Sequence, residues 1–104
     1  MEKRKPHHDL DAFKEAVASP QRLTVTTVAL RAAIALGFDR REMTAALRSL
    51  ERHHFYKSMT SHADHRQWQD VYHLPYDGLM LYVKFTADAV TEFTLLSFKE
   101  KGDG

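Results

Sequence analysis

Apolar residues in this chain recur at helical spacing up to about residue 54 and at alternate positions beyond it, and that single switch confines the fold more than any other feature. A 3.6-residue period puts an apolar stripe on one side of a helix, whereas a two-residue period gives a strand one buried and one open face. Helices followed by a run of strands make an α+β domain, with the helices packed on one face of an antiparallel sheet. No repeat, low-complexity tract or linker separates the halves, so residues 1–104 are expected to form one domain around a shared core.

Three helices are expected. The first spans 9–18, with Asp9 as its cap and Leu10, Phe13 and Val17 along one side; Ser19-Pro20 ends it, because the residue before proline avoids the helical region. Leu23-Thr24-Val25 reads as a short extended piece. The second helix runs from Thr27 to Leu36 with Gly37 as its C-terminal cap, and Arg31 is its only charge, so it is expected to be the central buried helix. The third is signalled by Asp39 and Glu42, spaced as a capping box, and by the stripe Met43, Ala46, Leu47 and Leu50. Arg41, Arg48 and Arg52 are expected to cluster on its opposite side, either as solubilising surface or as a phosphate track.

The second half reads as an antiparallel meander. Phe55 to Thr60, residues 67–74, Leu79 to Thr86 and Thr91 to Lys99 are the expected strands. Pro75-Tyr76-Asp77-Gly78 is a turn signal, since proline presets one backbone angle and glycine accepts positive φ. After it, Leu79, Leu81, Val83 and Phe85 share one face, and Met80, Tyr82, Lys84 and Thr86 the other. Residues 87–90 are expected to turn, and the polar tail from Glu100 to Gly104 to fray.

Composition narrows the chemistry. The chain has no cysteine, which excludes a disulfide framework, a thiolate metal site and thiol catalysis, and suits a reducing compartment. No run is apolar enough for a signal peptide or a membrane span, so a cytoplasmic location is expected. The net charge of +1 does not mark a duplex-DNA binder, and no direct specific DNA binding is expected. Between Arg40 and Arg66, however, six basic residues stand against three acidic ones, and four of the seven histidines (His53, His54, His62, His65) lie there. Such a stretch either attracts phosphate or is a solvated face. His62-x-x-His65 and His53-His54 lack the ligand number and spacing of a zinc site, so no metal is expected. There is no GxSxG, no glycine-rich phosphate loop and no carboxylate cluster of the two-metal kind.

An enzyme acting on phosphates with this inventory works without metal or other cofactor. RNA allows that, because it carries its own nucleophile, the 2′-hydroxyl. The protein must align that oxygen with the phosphorus, stabilise charge on the phosphoryl oxygens and move two protons. Lys57, Gln69, Tyr82, Lys84 and Lys99, all on expected strands, can supply these functions. The same residues also suit the open face of an ordinary half-buried sheet.

Longer blocks carry more information. Phe55-Tyr56-Lys57-Ser58-Met59-Thr60, Asp64-His65, Trp68-Gln69-Asp70-Val71-Tyr72, Leu81-Tyr82-Val83-Lys84 and Ser97-Phe98-Lys99-Glu100-Lys101, in that order and separation, resemble the motif series of the motility quorum-sensing regulator (MqsR) toxins, as does the opening Met1-Glu2-Lys3-Arg4-Lys5-Pro6-His7. The likeness runs from end to end, with a looser fit in the helical middle. It implies a RelE-like fold. It also implies an mRNA endoribonuclease of a type II toxin–antitoxin system that cuts at GC-containing sites such as GCU without the ribosome. The implied partner is an MqsA-type antitoxin that binds zinc and DNA through its own domains.

Carried over residue by residue, the resemblance makes Lys57, Gln69 and Tyr82 the catalytic candidates. Lys57 is expected to neutralise charge on the phosphorane-like transition state. Tyr82 is expected to donate a proton to the leaving 5′-oxygen or to bond a phosphoryl oxygen, since a phenol near pKa 10 acts more readily as an acid than as a base. Gln69 is expected to orient the phosphate or read a base edge. Arg66, Lys84, Lys99 and His65 are secondary candidates for RNA contacts. If one of the histidines at 53, 54, 62 or 65 sat at the phosphate, it would displace Tyr82 as proton donor. The loop Leu74 to Leu79 is individual to this chain. The alternatives are a module that grips RNA or protein without cutting it, and a protein that works by pairing an exposed strand edge with a partner.

Overall fold

The structure, a computed structural model, describes residues 1–88 and 92–102. A short strand β1 (Glu2–Lys3) comes first, three helices follow, α1 (Leu10–Ala16), α2 (Thr27–Ala35) and α3 (Arg40–Arg48), and β2 (Phe55–Thr60), β3 (Trp68–Tyr76), β4 (Leu79–Asp88) and β5 (Glu92–Glu100) complete a five-stranded antiparallel sheet. The strands lie side by side in chain order. The α+β expectation holds.

Local signals set the helix starts. The Asp9 side chain accepts from the Ala12 amide, and Thr26 does the same for Ala29. Asp39 and Glu42 form the full capping box. Phe13 and Val17 of the α1 segment and Met43, Ala46 and Leu47 of α3 are buried against the sheet face that carries Tyr72, Leu74, Leu81, Val83, Phe85, Leu95 and Phe98. Phe13 stacks on Phe85 with ring centroids 3.8 Å apart. One continuous core therefore draws on both halves of the chain.

The extended piece at Leu23–Val25 is present: Val25 bridges Leu95 in parallel, and Thr24 and Thr26 exchange backbone hydrogen bonds with Leu95. It lays α2 against β5, but α2 is not the central buried helix. Only Ala29 and Ala33 of α2 are buried, while Val28 and Ile34 are 76% and 59% exposed. Ala29 and Ala33 make the packing face with Leu30 beside them, and Val28 and Ile34 point away from it. Arg52 does not belong to the α3 arginine face either. The helix stops at its Ser49 cap, and Arg52 starts a separate 3₁₀ turn, its guanidinium over the Phe55 ring.

The strands are longer than their sequence signals. Pro75 and Tyr76 lie in β3, and the turn shrinks to Asp77-Gly78. Ala87 and Asp88 continue β4; the rest of the expected 87–90 turn, and Thr91, lie outside the described residues. Glu100 completes β5, and the Lys101 amide donates to the Met80 carbonyl at 2.8 Å, so the tail is tied down to that point, while residues 103–104 lie outside the described part. β1 has no counterpart in the sequence reading. It pairs with β2, Glu2 opposite Met59 and Lys3 opposite Ser58.

The N-terminal segment is fastened by a buried carboxylate. Asp70 is fully buried and accepts hydrogen bonds from the His7 amide (3.1 Å), the His8 amide (2.9 Å) and the Ser58 hydroxyl (2.6 Å). A neighbour on the same face is less well served. Tyr72 is fully buried, burial pushes its phenol up to about 12, and among the described residues its hydroxyl has no hydrogen-bond partner. An unpaired buried hydroxyl costs roughly 1–3 kcal/mol. Tyr72→Phe is therefore expected to stabilise the fold by about 1 kcal/mol, read as a higher midpoint in urea denaturation. A lower midpoint would mean that the hydroxyl is satisfied after all.

Candidate active site

The two-residue turn determines what meets on the open face of the sheet. Asp77 (φ 52) and Gly78 (φ 79) both occupy the left-handed region, which suits the twist of a tight hairpin; glycine enters it freely and aspartate is among the tolerant residues. With Tyr76 opposite Leu79, the register follows: His73 faces Tyr82, Val71 faces Lys84 and Gln69 faces Thr86. On the far side of β4, Tyr82 faces Lys99 and Lys84 faces Ser97. On the near side of β3, Lys57 faces Val71 and Met59 faces Gln69. Strand alternation puts all of these on the face opposite the core. Val71 is fully buried yet lies outside the core cluster, in the row between Lys57 and Lys84.

A register shift in β2 between Phe55 and Lys57 releases Tyr56 from the ladder. Its ring stacks on His73 at 4.3 Å between centroids. Tyr56, Lys57, His73, Tyr82, Lys99, Lys101 and Gly102 then line one cleft of about 480 Å³. Three lysines border it, and among the described residues no carboxylate does. A larger cleft of about 840 Å³ lies on the helix side, but Asp9, Glu15, Asp64 and Asp88 line it with Arg22 and Arg66. Four carboxylates repel a phosphodiester, so the smaller cationic cleft is the better site for nucleic acid.

Each ionisable group in the cleft has an identifiable environment. The Lys57 ammonium lies 3.1 Å from Glu2, which holds the Glu2 carboxyl below the usual carboxylate range. Burial pushes the Tyr82 phenol up, against the opposing pull of Lys57. Burial pushes His73 down, and the charge of Lys101 adds to it. Lys84 is lowered by burial and then by Lys99. The Lys99 ammonium sits 5.3 Å from the centre of the Tyr82 ring, within cation–π range. The arrangement offers several cations, a protonated phenol and a neutral imidazole around one concave space.

The residues singled out from the sequence divide into three groups. Lys57, Tyr82 and Lys99 come together in the cleft. Gln69 and Lys84 share the open face just beyond it, Gln69 diagonal to Lys57 and Lys84 in the same row as Lys57 and Val71. Arg66 and His65 are exposed in the loop between β2 and β3; Arg66 bonds Asp64 at 3.3 Å and lines the helix-side cleft instead. The histidine-rich run does not reach the site. His54 accepts from the Glu51 amide at 2.9 Å, His53 pairs with Glu51 at 3.3 Å, and His62 is exposed in the same loop as His65. Among the described residues no three metal-ligating side chains converge. His73 and Tyr56, which the sequence reading passed over, are in the cleft. The signal for His73 was available: taking Asp77-Gly78 as a two-residue turn pairs it with Tyr82.

Comparison with known proteins agrees with the resemblance noted from the motifs. The family described as "Motility quorum-sensing regulator, toxin of MqsA" matches residues 5–100. The chain is 41% identical over 101 residues to the mRNA interferase toxin MqsR of Escherichia coli (strain K12), an alignment covering 97% of this chain and 100% of that protein.

Proposed function

The chain belongs to the motility quorum-sensing regulator toxin family, and from that membership we propose that it is an mRNA interferase, the toxin of a toxin–antitoxin pair. Residues 1–104 act as one domain, in the cytoplasm where mRNA is found. The observation that carries the catalytic reading is the meeting of Lys57, Tyr82 and Lys99 in a cationic cleft on the sheet face opposite the helices. Rigid strands fix these groups, and the open face admits a single-stranded polymer without rearrangement.

The reaction is attack of an RNA 2′-hydroxyl on the adjacent phosphate, independent of the ribosome and of metal. The P–O2′ bond forms, the P–O5′ bond breaks, and the products are a 2′,3′-cyclic phosphate and a 5′-hydroxyl. Lys57 and Lys99 offset the charge that builds on the phosphoryl oxygens. Tyr82, kept protonated by burial, delivers a proton to the departing 5′-oxygen. Gln69 and Lys84 extend the face along which the flanking nucleotides run. Cleavage is directed to GC-containing sites of the GCU type. The partner is an antitoxin of the MqsA kind named in the family's description, a protein that carries its own zinc and binds DNA itself.

The test is cleavage of a GCU-containing RNA by purified protein in EDTA. Wild type is expected to leave cyclic phosphate and 5′-hydroxyl ends. Tyr82→Phe is expected to be slower by about 10²-fold with an unchanged circular dichroism spectrum. A folded wild-type protein that leaves this RNA intact rejects the nuclease reading in favour of a module that only grips RNA. Cutting that stops in EDTA rejects metal independence alone.

A further inference from the structure

Proton removal from the 2′-hydroxyl has no agent among Lys57, Gln69 and Tyr82. Lys57 serves as the cation at the phosphate, burial keeps the proton on Tyr82, and an amide does not take one up. Among the described residues that line the cleft, the imidazole of His73 is the side chain suited to take up a proton near neutral pH. We propose that His73 is the general base of the cleavage reaction, accepting the proton of the RNA 2′-hydroxyl while Tyr82, its cross-strand partner, supplies a proton to the 5′-oxygen. This inference rests on the nuclease reading above.

Geometry sets His73 apart from the other histidines near the sheet. His7 is bonded to Lys3, His8 to the Trp68 carbonyl, His53 to Glu51 and His54 to the Glu51 amide. Among the described residues, His73 has no hydrogen bond at either ring nitrogen. Its orientation comes from stacking: the Tyr56 ring covers it at 4.3 Å and 23° between planes, which fixes the imidazole and leaves its edge open. The Tyr82 ring centre is 6.0 Å away on the next strand. The two groups thus border one cleft from adjacent strands, with lysines on both sides. A half-buried histidine whose only role is packing has no need of this opening.

The environment separates the two roles. The groups that face His73 are Tyr56 and Lys57 from β2, Tyr82 from β4, and Lys99 and Lys101 from β5 and the segment after it; Arg4 adds a cation over the Tyr56 ring. Among the described residues no carboxylate lines the cleft, and Glu2 of β1 is bonded to Lys57. Burial and the Lys101 charge hold the imidazole below the ordinary histidine value of 6.5, so it is neutral and able to accept a proton at pH 7. Burial holds the phenol above its ordinary value of 10.0, so it retains the proton it must give. Environments that push two titratable groups apart in this way mark a base and an acid. After each turnover the imidazolium loses its proton to water and the phenolate regains one, so the pair resets without a co-reactant.

The test is the pH dependence of GCU-RNA cleavage under single-turnover conditions for wild type and His73→Gln. A base that works when neutral gives an acid limb: kcat/KM rises with pH up to its pKa and is flat above it, and the lowered pKa places that limb below pH 6.5. His73→Gln is expected to cut about 10²-fold more slowly at pH 7 and to lose the limb, and free imidazole is expected to restore rate to His73→Gly. A variant that keeps the wild-type rate, or is slow but keeps the limb, overturns the proposal and leaves the nuclease reading intact. Wild type failing to cut overturns both. The wild-type profile alone also decides the matter should the variants fail to fold: a kcat/KM without an acid limb, or a limb displaced from the NMR titration midpoint of His73, overturns the assignment.

Discussion

Lys57→Ala is expected to slow RNA cleavage by about 10³-fold while the protein still folds and melts close to wild type. The side chain is only 20% exposed, lies in the row adjoining His73 and Tyr82, and borders the cleft where a scissile phosphate would sit. One correctly placed donor at a developing oxyanion is worth 10²–10³-fold, and a full positive charge belongs at the upper end of that range. Its ion pair with Glu2 is open to water on the Glu2 side, so losing it changes stability little. Glu2→Gln provides the contrast, since it releases Lys57 without removing it and should leave most of the rate. Single-turnover cleavage with thermal melting of the same samples checks both. A Lys57→Ala protein that cuts at the wild-type rate would sink the phosphate-stabilising role.

Asp70→Ala acts on the other face of the sheet, one strand over, and its effect is on stability. Three donors converge on this buried carboxylate, two of them backbone amides of the N-terminal segment. Removing the acceptor leaves the two amides unpaired and the Ser58 hydroxyl with only the Gln69 carbonyl at 3.3 Å, and breaking a buried charged network of this kind costs roughly 3–5 kcal/mol. For a domain of about 100 residues that corresponds to a fall in Tm of about 15 °C or more. Asp70→Asn keeps an acceptor oxygen and should lose about half as much. Calorimetry decides between these outcomes, and an alanine variant within a few degrees of wild type would mean that the N-terminal segment is held by other contacts. The variant's folded fraction should still cut RNA, because Asp70 does not border the cleft.

Much of the architecture was legible because its signals are local. The Asp39–Glu42 capping box and the Phe55–Thr60 strand could be read from a few consecutive residues each. Lys57, Tyr82 and Lys99 converge because alternation assigns each a face and the meander brings the faces side by side. What escaped depends on partners distant in sequence. β1 is two residues long and has no period to detect. The composition of α2 announced an apolar helix but not which side would pack, and the small residues Ala29 and Ala33 won that side over Val28 and Ile34. His73 escaped because its neighbours follow from a register, and reading the turn as four residues instead of two hid that register. Arg66 and His65 sit in an irregular loop, where no periodicity indicates direction.

The Asp70 fastening also has a kinetic side. The β3–β4 hairpin closes through two turn residues, so its pairing needs almost no loop entropy. The bonds from His7 to Asp70 and from Thr26 to Leu96 span 63 and 70 residues of chain, and such closures come late, after local pairing has made their targets. Contacts absent from the folding transition state govern the unfolding rate and leave the folding rate nearly untouched. The meander that carries Lys57, His73, Tyr82 and Lys99 is therefore the early-forming part of the molecule, and the N-terminal segment is its latch. A weakened latch shortens the lifetime of the native state without slowing its arrival.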